Sequence, residues 1–491
     1  MLVAVLLTVA VGLLGASGSS IACNGPGGGT CDHSSPAGPG GEDVRDAMTL
    51  VHRPLTGDGG ITVRIASLTG LYPPQGHAAA GSGRAGLASG VQPWAKAGVI
   101  VKDGTKEGSA YAAVALTGAH GVRMQYDYTH DTAGLPGTVS AASPRWLRLT
   151  RSGDTLTGYD SADGTHWTEI GTARLPGLPA TVQLGLFATS PEYDVTSRSF
   201  GSTSVDGGPS QATAAFDSVT VQGGGAGAWT GDVIGNDGPA EAPGHEGLGY
   251  RQSGGTFTVT GSGDVAPVVP GRDTPGKTIE DSLIGVFAGL VVVAVVATMS
   301  VTAEYRRGLI RTTLAAAPRR GRVLAAKATV IGGVCFVTGL AAALLAVPLV
   351  QGLEKHKHFP VGHVPFGTEA RVVLGTAALF AVTGVLALAV GTVLRRSAGA
   401  VTAVVVAIVL PYILAVSAVL PTGPSRWLTR ITPAAAFAVQ QSVHQYAQVA
   451  ADYSPGNGYY PLPPWAGLGV LCGYAAAAVA LAAVLLRRRD A

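Results

Sequence analysis

Two hydrophobic periodicities divide this chain. Between residues 42 and 222 apolar and polar positions alternate in short runs, among them ITVRIASL, YAAVALTG, GVRMQYDY, RWLRLTRSG, TVQLGLFATS and AFDSVTVQG. Successive side chains of a strand point to opposite faces, so this alternation predicts strands packed on one side. Asp58-Gly59, Asp103-Gly104 and Asp163-Gly164 punctuate the runs as turns, and their spacing predicts an all-β sandwich or jelly roll. From residue 281 onward the apolar runs become long and unbroken, at 283–302, 328–350, 371–394, 398–420 and 466–486. Each approaches the roughly 20 residues that cross a bilayer as a helix.

Another apolar run, LVAVLLTVAVGLLG at 2–15, is followed by the small residues ASGSS. Its length suits a secretory signal, but no basic segment precedes it, and we read it as a first membrane helix within residues 1–20. The expected architecture is therefore a multi-domain membrane protein: an all-α bundle of six transmembrane helices and an all-β extracytoplasmic domain. Residues 21–41 form a Gly/Ser/Pro linker, 42–222 the β domain, 223–280 a Gly/Pro-rich connector with extra β-structure, and 281–491 five further spans.

Composition agrees with two regimes. The chain has 491 residues, 47% of them hydrophobic and only 13% charged. Its net charge of +3 hides an acidic stretch (net −8 over 20–280) and a basic one (net +11 over 281–491). The positive charge clusters at 306–327, 395–396 and 487–489, and short basic loops stay on the cytoplasmic side. Six spans with both ends cytoplasmic and residues 20–280 outside satisfy that rule at every turn. Cys335 and Cys472 fall inside spans as small apolar fillers, whereas Cys23 and Cys31, in a loop placed outside, are candidates for one disulfide.

Three apparent motifs carry little. Gly271-Arg272-Asp273-Thr274-Pro275-Gly276-Lys277-Thr278 matches the P-loop letter for letter. That loop needs a buried strand before it and a soluble helix after it; here proline-broken APVVP precedes and a membrane span follows. Glu192 and Asp194 stand two apart, as paired carboxylates of jelly-roll glycosidases do, but the third acid's position holds Ser197, so they read as solvated loop acids. His356, His358 and His363 lack companion ligands for a metal. No enzyme activity, cofactor, metal or nucleic-acid partner is expected of this chain.

The strongest segment is EYRRGLIRTTLAAAPRRGRVLAAK, Glu304–Lys327, which sets seven cations against one acid between two spans. It is helix-compatible as far as Pro318, with Arg307 and Arg311 on one face and Glu304 one turn from Arg307. A short amphipathic helix along the membrane would present these charges to a soluble partner.

Two resemblances sharpen the picture. WAKAGVIVKD, PRWLRLTRSGDTLTGYDSADGTHWTEIG and VQLGLFATS resemble concanavalin-A-like, laminin-G-like jelly rolls over residues 42–222, which implies a lectin-like fold with a glycan as possible ligand. The segment EYRRG, the following Thr-Leu and APRRGRVLAAK resemble the permease subunits of type-2 ABC transporters over 279–491, and PSRWLTRITPAAAF resembles that family's re-entrant region. The resemblance implies that loop 303–327 is the coupling element, with Glu304, Tyr305, Arg306, Arg307, Gly308, Arg311, Thr312, Pro318, Arg319, Arg320 and Lys327 in the motif. It also implies a separate P-loop ATPase subunit, a second permease copy (identical or not) and a bacterial cell membrane. The chain starts within its first span, and a β insertion of this size is unusual for the family. The expected function is the permease of an ATP-driven exporter; the alternative is a membrane-anchored carbohydrate-binding or sensor protein. Few charges lie within the spans, which favours a lipid-like or amphipathic cargo.

Overall fold

The computed structural model describes residues 1–18, 35–73, 87–139, 143–199, 202–224, 227–236, 246–270, 272, 277–309, 319–357, 359, 361–362, 364–417 and 419–489. Cys23 and Cys31, the expected disulfide pair, lie outside them, as do His358, His363 and most of the P-loop-like stretch.

The β domain is organised around one strand of 25 residues, Met48–Tyr72. Its first part pairs antiparallel with Thr181–Thr189 on one edge and Thr230–Ile234 on the other. Beyond Gly57, which takes φ +75°, it pairs with Arg145–Ser152 and Gln211–Gly224 instead. A side chain is disfavoured at that left-handed φ, so glycine is the residue that lets one strand bend and serve two layers. The layers enclose a core that includes Val51, Ile61, Val99, Val114, Leu149, Leu184, Phe216 and Phe257. Strands Gly249–Ser253 and Thr256–Gly261 join the same sheet through Gln211–Gly224, so the sheet draws on residues well past 222.

Period-2 burial appears where it was expected, in Arg145–Ser152. Lys96–Lys102 and Tyr111–Thr117 are instead buried at every position. Their second face is covered by the pair Val44–Asp46 and Val265–Pro267, over a small core with Leu50, Ile100, Tyr111, Tyr128 and Phe187. Two lysines end up buried there. Lys102 Nζ donates to Asp46 at 2.6 Å and Lys96 Nζ to Asp264 at 2.9 Å, with Arg272 also 2.9 Å from Asp264. Burial works against an ionised Asp264, but Lys96 and Arg272 outweigh it and hold the carboxyl below its ordinary range. Two tryptophans pack on this frame: Trp94 is buried against His120, and Trp167 carries Arg148 at 3.8 Å over its ring.

The rest is helical: α1 (Leu2–Gly18), α2 (Ile279–Ser282), α3 (Val286–Arg306), α4 (Arg320–His356), α5 (Phe366–Leu394), α6 (Ser397–Val416), α7 (Thr422–Ile431), a 3-10 segment Pro433–Gln440 and α8 (Pro464–Arg489). Among the described residues five helices, α3, α4, α5, α6 and α8, are long and apolar enough to cross a membrane. The sixth expected span, α1, has 17 residues and falls short of that length. It lies along α3 and α4, with Gly12 against Ser282 and Val350, and Lys357 Nζ donates to the carbonyls of Ala16 and Ser17. At 37 residues α4 is about 55 Å long against a hydrocarbon core of about 30 Å, so it projects from the bilayer. Residues 351–356, expected as loop, are its last turns. The most enclosed span is α5, whose Phe380 packs against Gly289 of α3 and Gly339 of α4 in the central core. Val330, Val337, Leu344 and Leu349 of α4 are exposed, as lipid-facing side chains are.

The β domain sits on the end of the bundle where α3 begins. Ala266 and Val269 pack on Val449, and Gln448 Nε2 donates to the carbonyls of Tyr128 and Thr129 at 3.3 and 3.2 Å. Lys277 bridges Val361 below it.

Candidate functional site: the basic end of the helix bundle

At the opposite end, α3 stops at Arg306, Arg307 caps it, and Gly308 takes φ +71°. The expected uninterrupted helix from Glu304 to Pro318 is therefore corrected: the chain turns ten residues earlier, because glycine enters the left-handed region without steric cost. Arg307 does not continue the helix toward Arg311. Arg311, Thr312 and Pro318 lie outside the described residues, and α4 begins at Arg320 with Arg319 as its N-cap.

The motif residues separate into an inner and an outer set. Lys327 Nζ of α4 donates to the Glu304 carboxylate of α3; the expected one-turn partner Arg307 is instead exposed. The guanidinium of Arg395, in a left-handed residue at the α5–α6 turn, lies 4.9 Å from the centre of the Tyr305 ring. Arg320 Nη1 donates to the carbonyl of Leu486 on α8 at 2.7 Å. Beneath these contacts Val301, Leu324, Leu388, Ala482 and Leu486 form a small apolar core. Residues on either side of the loop thus fasten α3 to α4, to the α5–α6 turn and to α8.

The outer set is Arg306, Arg307, Arg319 and Arg322, all exposed, joined by Arg396, Arg487 and Arg488. Glu304 is the one carboxylate at this end among the described residues, and Lys327 holds it. The surface is a field of guanidiniums, suited to an acidic protein face. Arg395 as the partner of Tyr305 was not legible in the sequence, since 90 residues separate them; the doublet Arg395-Arg396 signalled only a basic turn.

The bundle's other end carries the 3-10 segment. Every residue of Pro433–Gln440 is buried. Carbonyls buried at the end of such a segment need donors inside the protein. Arg371 of α5 supplies two, to Val439 at 3.1 Å and Gln441 at 2.7 Å. Gln440 Nε2 donates to Thr376 at 3.1 Å, and Phe437 stacks on Tyr412 at 3.8 Å. Gly467 of α8 closes the packing, since any side chain there would strike the Ala435 carbonyl. Glu280 of α2 accepts from the Ser442 amide and, at 2.6 Å, from its hydroxyl. Burial raises the Glu280 carboxyl above its ordinary range, although the Ser442 donors oppose the shift.

The set-aside motifs stay apart. Glu192 lies 3.5 Å from Arg45 just ahead of the strand Tyr193–Ser199, in which Asp194 sits. Arg272 of the P-loop-like stretch is bonded to Asp264, and Lys277 lies 5.7 Å from the Phe359 ring centre. His356 is the last residue of α4.

Five helices long and apolar enough to cross a membrane, beside a β-rich region, define a multi-pass membrane protein. The chain belongs to the ABC-2 family transporter proteins, whose family model matches residues 122–491. It is therefore a transport membrane component. A search of curated proteins finds no match. Among solved structures, scytalido-glutamic peptidase bound to a transition state analog inhibitor aligns at 9% identity and TM-score 0.27, over 45% of this chain and 100% of that one. A functionally unknown protein from Saccharomyces cerevisiae aligns at 13% identity and TM-score 0.20, over 37% of this chain and 72% of that one. Likenesses this weak carry no argument about fold or activity.

Proposed function

We propose that this chain is the permease subunit of an ATP-driven exporter, coupled through Glu304–Lys327 to a separate P-loop ATPase subunit and paired with a second permease copy. The observation that carries the reading is the division of the basic end. Arg306, Arg307, Arg319 and Arg322 face away from the bundle, while Tyr305 and Arg320 hold the same segment to the α5–α6 turn and to α8, and Glu304 and Lys327 tie its two ends together. A force applied to the outer set reaches the spans through the inner set, and rigid-body tilting would convert it into alternating access.

The basic end is cytoplasmic in this proposal, with both termini there, and the β domain lies outside a bacterial cell membrane. The β domain is assigned to the concanavalin-A-like jelly rolls; its two antiparallel layers support that, and a glycan is its proposed ligand. The disulfide Cys23–Cys31 belongs to the same placement, since an extracytoplasmic loop is an oxidising setting.

Affinity purification of the full chain in mild detergent, beside the variant Arg306/Arg307/Arg311→Glu, tests the coupling. A P-loop ATPase should accompany the wild type and be lost from the variant while the variant remains folded. An ATPase retained by the triple variant would remove the coupling role from this segment, and none with either protein would remove the transporter reading.

A further inference from the structure

We propose that a pocket beside α7, on the β-domain side of the bundle, holds the headgroup of an anionic phospholipid from the adjoining leaflet. The cavity measures about 380 Å³, and its walls include Arg426, Trp427, Arg430, Gln445, Tyr453 and Tyr460. No carboxylate lines it. Two guanidiniums without a counter-charge favour a headgroup of net negative charge over a zwitterionic one, whose ammonium they would repel.

The position of α7 says where that anion comes from. The helix turns Ser425 and Thr429 into the bundle and leaves Arg426, Trp427, Arg430 and Ile431 exposed. Its last residue, Ile431, accepts a hydrogen bond from the hydroxyl of Tyr474 at 3.0 Å. Tyr474 lies ten residues inside α8, whose first turn carries the exposed Trp465. Ten residues are about 15 Å along a helix, so α7 slopes from the membrane surface toward the acyl chains. Arg430, one residue before its end, is then exposed at bilayer depth, with the Trp427 ring 5.8 Å away and no carboxylate partner among the described residues. A guanidinium there is costly unless an anion meets it, and a lipid phosphate, toward which a long arginine side chain reaches from below, is the anion the bilayer supplies. Arg426 is already oriented, since its Nε and Nη2 donate to the Tyr453 carbonyl at 3.2 and 2.7 Å. That contact leaves Nη1 uncommitted for a phosphate oxygen, and the neighbouring aromatic rings suit the glycerol and upper acyl segment.

Native mass spectrometry of the full chain in detergent, titrated separately with phosphatidylglycerol, phosphatidylcholine and inorganic phosphate, tests this. Phosphatidylglycerol should bind about tenfold more tightly than phosphatidylcholine, and Arg430→Gln should remove about tenfold of its affinity. Arg430→Lys should retain most of the preference, and Arg322→Gln, at the far end, all of it. Inorganic phosphate should fail to displace the lipid. Equal binding of the two lipids, or a preference that survives Arg426→Gln/Arg430→Gln, would overturn the proposal. So would saturable inorganic phosphate binding that blocks the lipid, which would make the pocket a site for a free anion. A variant that binds less and also melts lower is judged by Arg430→Lys: loss of preference with charge and fold both kept contradicts the proposal.

Discussion

At the scale of single residues, buried charges show the tightest dependence on their partners. Asp264 joins Lys96 and Arg272 where the β domain meets its connector, and both lysine and aspartate are out of reach of water. Asp264→Asn leaves a buried ammonium with a weaker partner and should cost about 3–5 kcal/mol, read as an earlier unfolding transition of the β domain in denaturant. The pH dependence has a definite sign. The folded carboxyl lies below its ordinary value of 3.8, so its stabilisation is complete above that pH and disappears as pH falls through the lower, folded value. The wild type should lose stability over that acid range, and Asp264→Asn should lose correspondingly less. Equal acid sensitivity of the two proteins would assign the effect to other groups.

Among elements, the contact between α3 and α4 is the one to perturb. Glu304 and Lys327 are partly exposed, so their pairing contributes on the order of 0.5–1 kcal/mol. Glu304→Lys sets like charges together and should lower the melting temperature in detergent; Glu304→Lys/Lys327→Glu should restore most of the loss. A double reversal no better than the single one would show that the two helices are aligned by the apolar core around Leu324 alone. The sequence showed that both ends of this loop are charged and helical. It did not show that Glu304 would reach across to α4 rather than along its own helix. Arg307 still closes the last turn of α3 but is exposed, and Gly308 puts no side chain at the next position on that face, so the cation that reaches the carboxylate comes from the next element.

The whole molecule is joined at a narrow seat. Gln448 and Val449, from the long segment before α8, touch the β domain a few residues beyond Gln441 and Ser442, which Arg371 and Glu280 secure. Val449→Asp places a charge among Ala266, Val269 and Tyr446, and should increase hydrogen exchange in Val44–Asp46 and Val265–Pro267 while the strand Arg145–Ser152, remote from the seat, stays protected. Unchanged exchange at all three would mean that the two parts hold together without this contact.

The sequence by itself determined the two regimes, the five long spans and the basic segment between α3 and α4, because periodicity, run length and charge are local properties that each window of chain carries. Strand burial by alternate residues was legible for Arg145–Ser152 for the same reason. Only the tertiary structure decided that Lys96–Lys102 and Tyr111–Thr117 are covered on both faces, since the covering strands come from far along the chain. It likewise set α1 against α3 and α4, placed Arg395 over Tyr305 and Arg371 beneath the 3-10 segment, and gathered three tyrosines of a later segment around the two arginines of α7. Those pairings depend on which elements pack together, and packing is a property of surfaces that no single window contains.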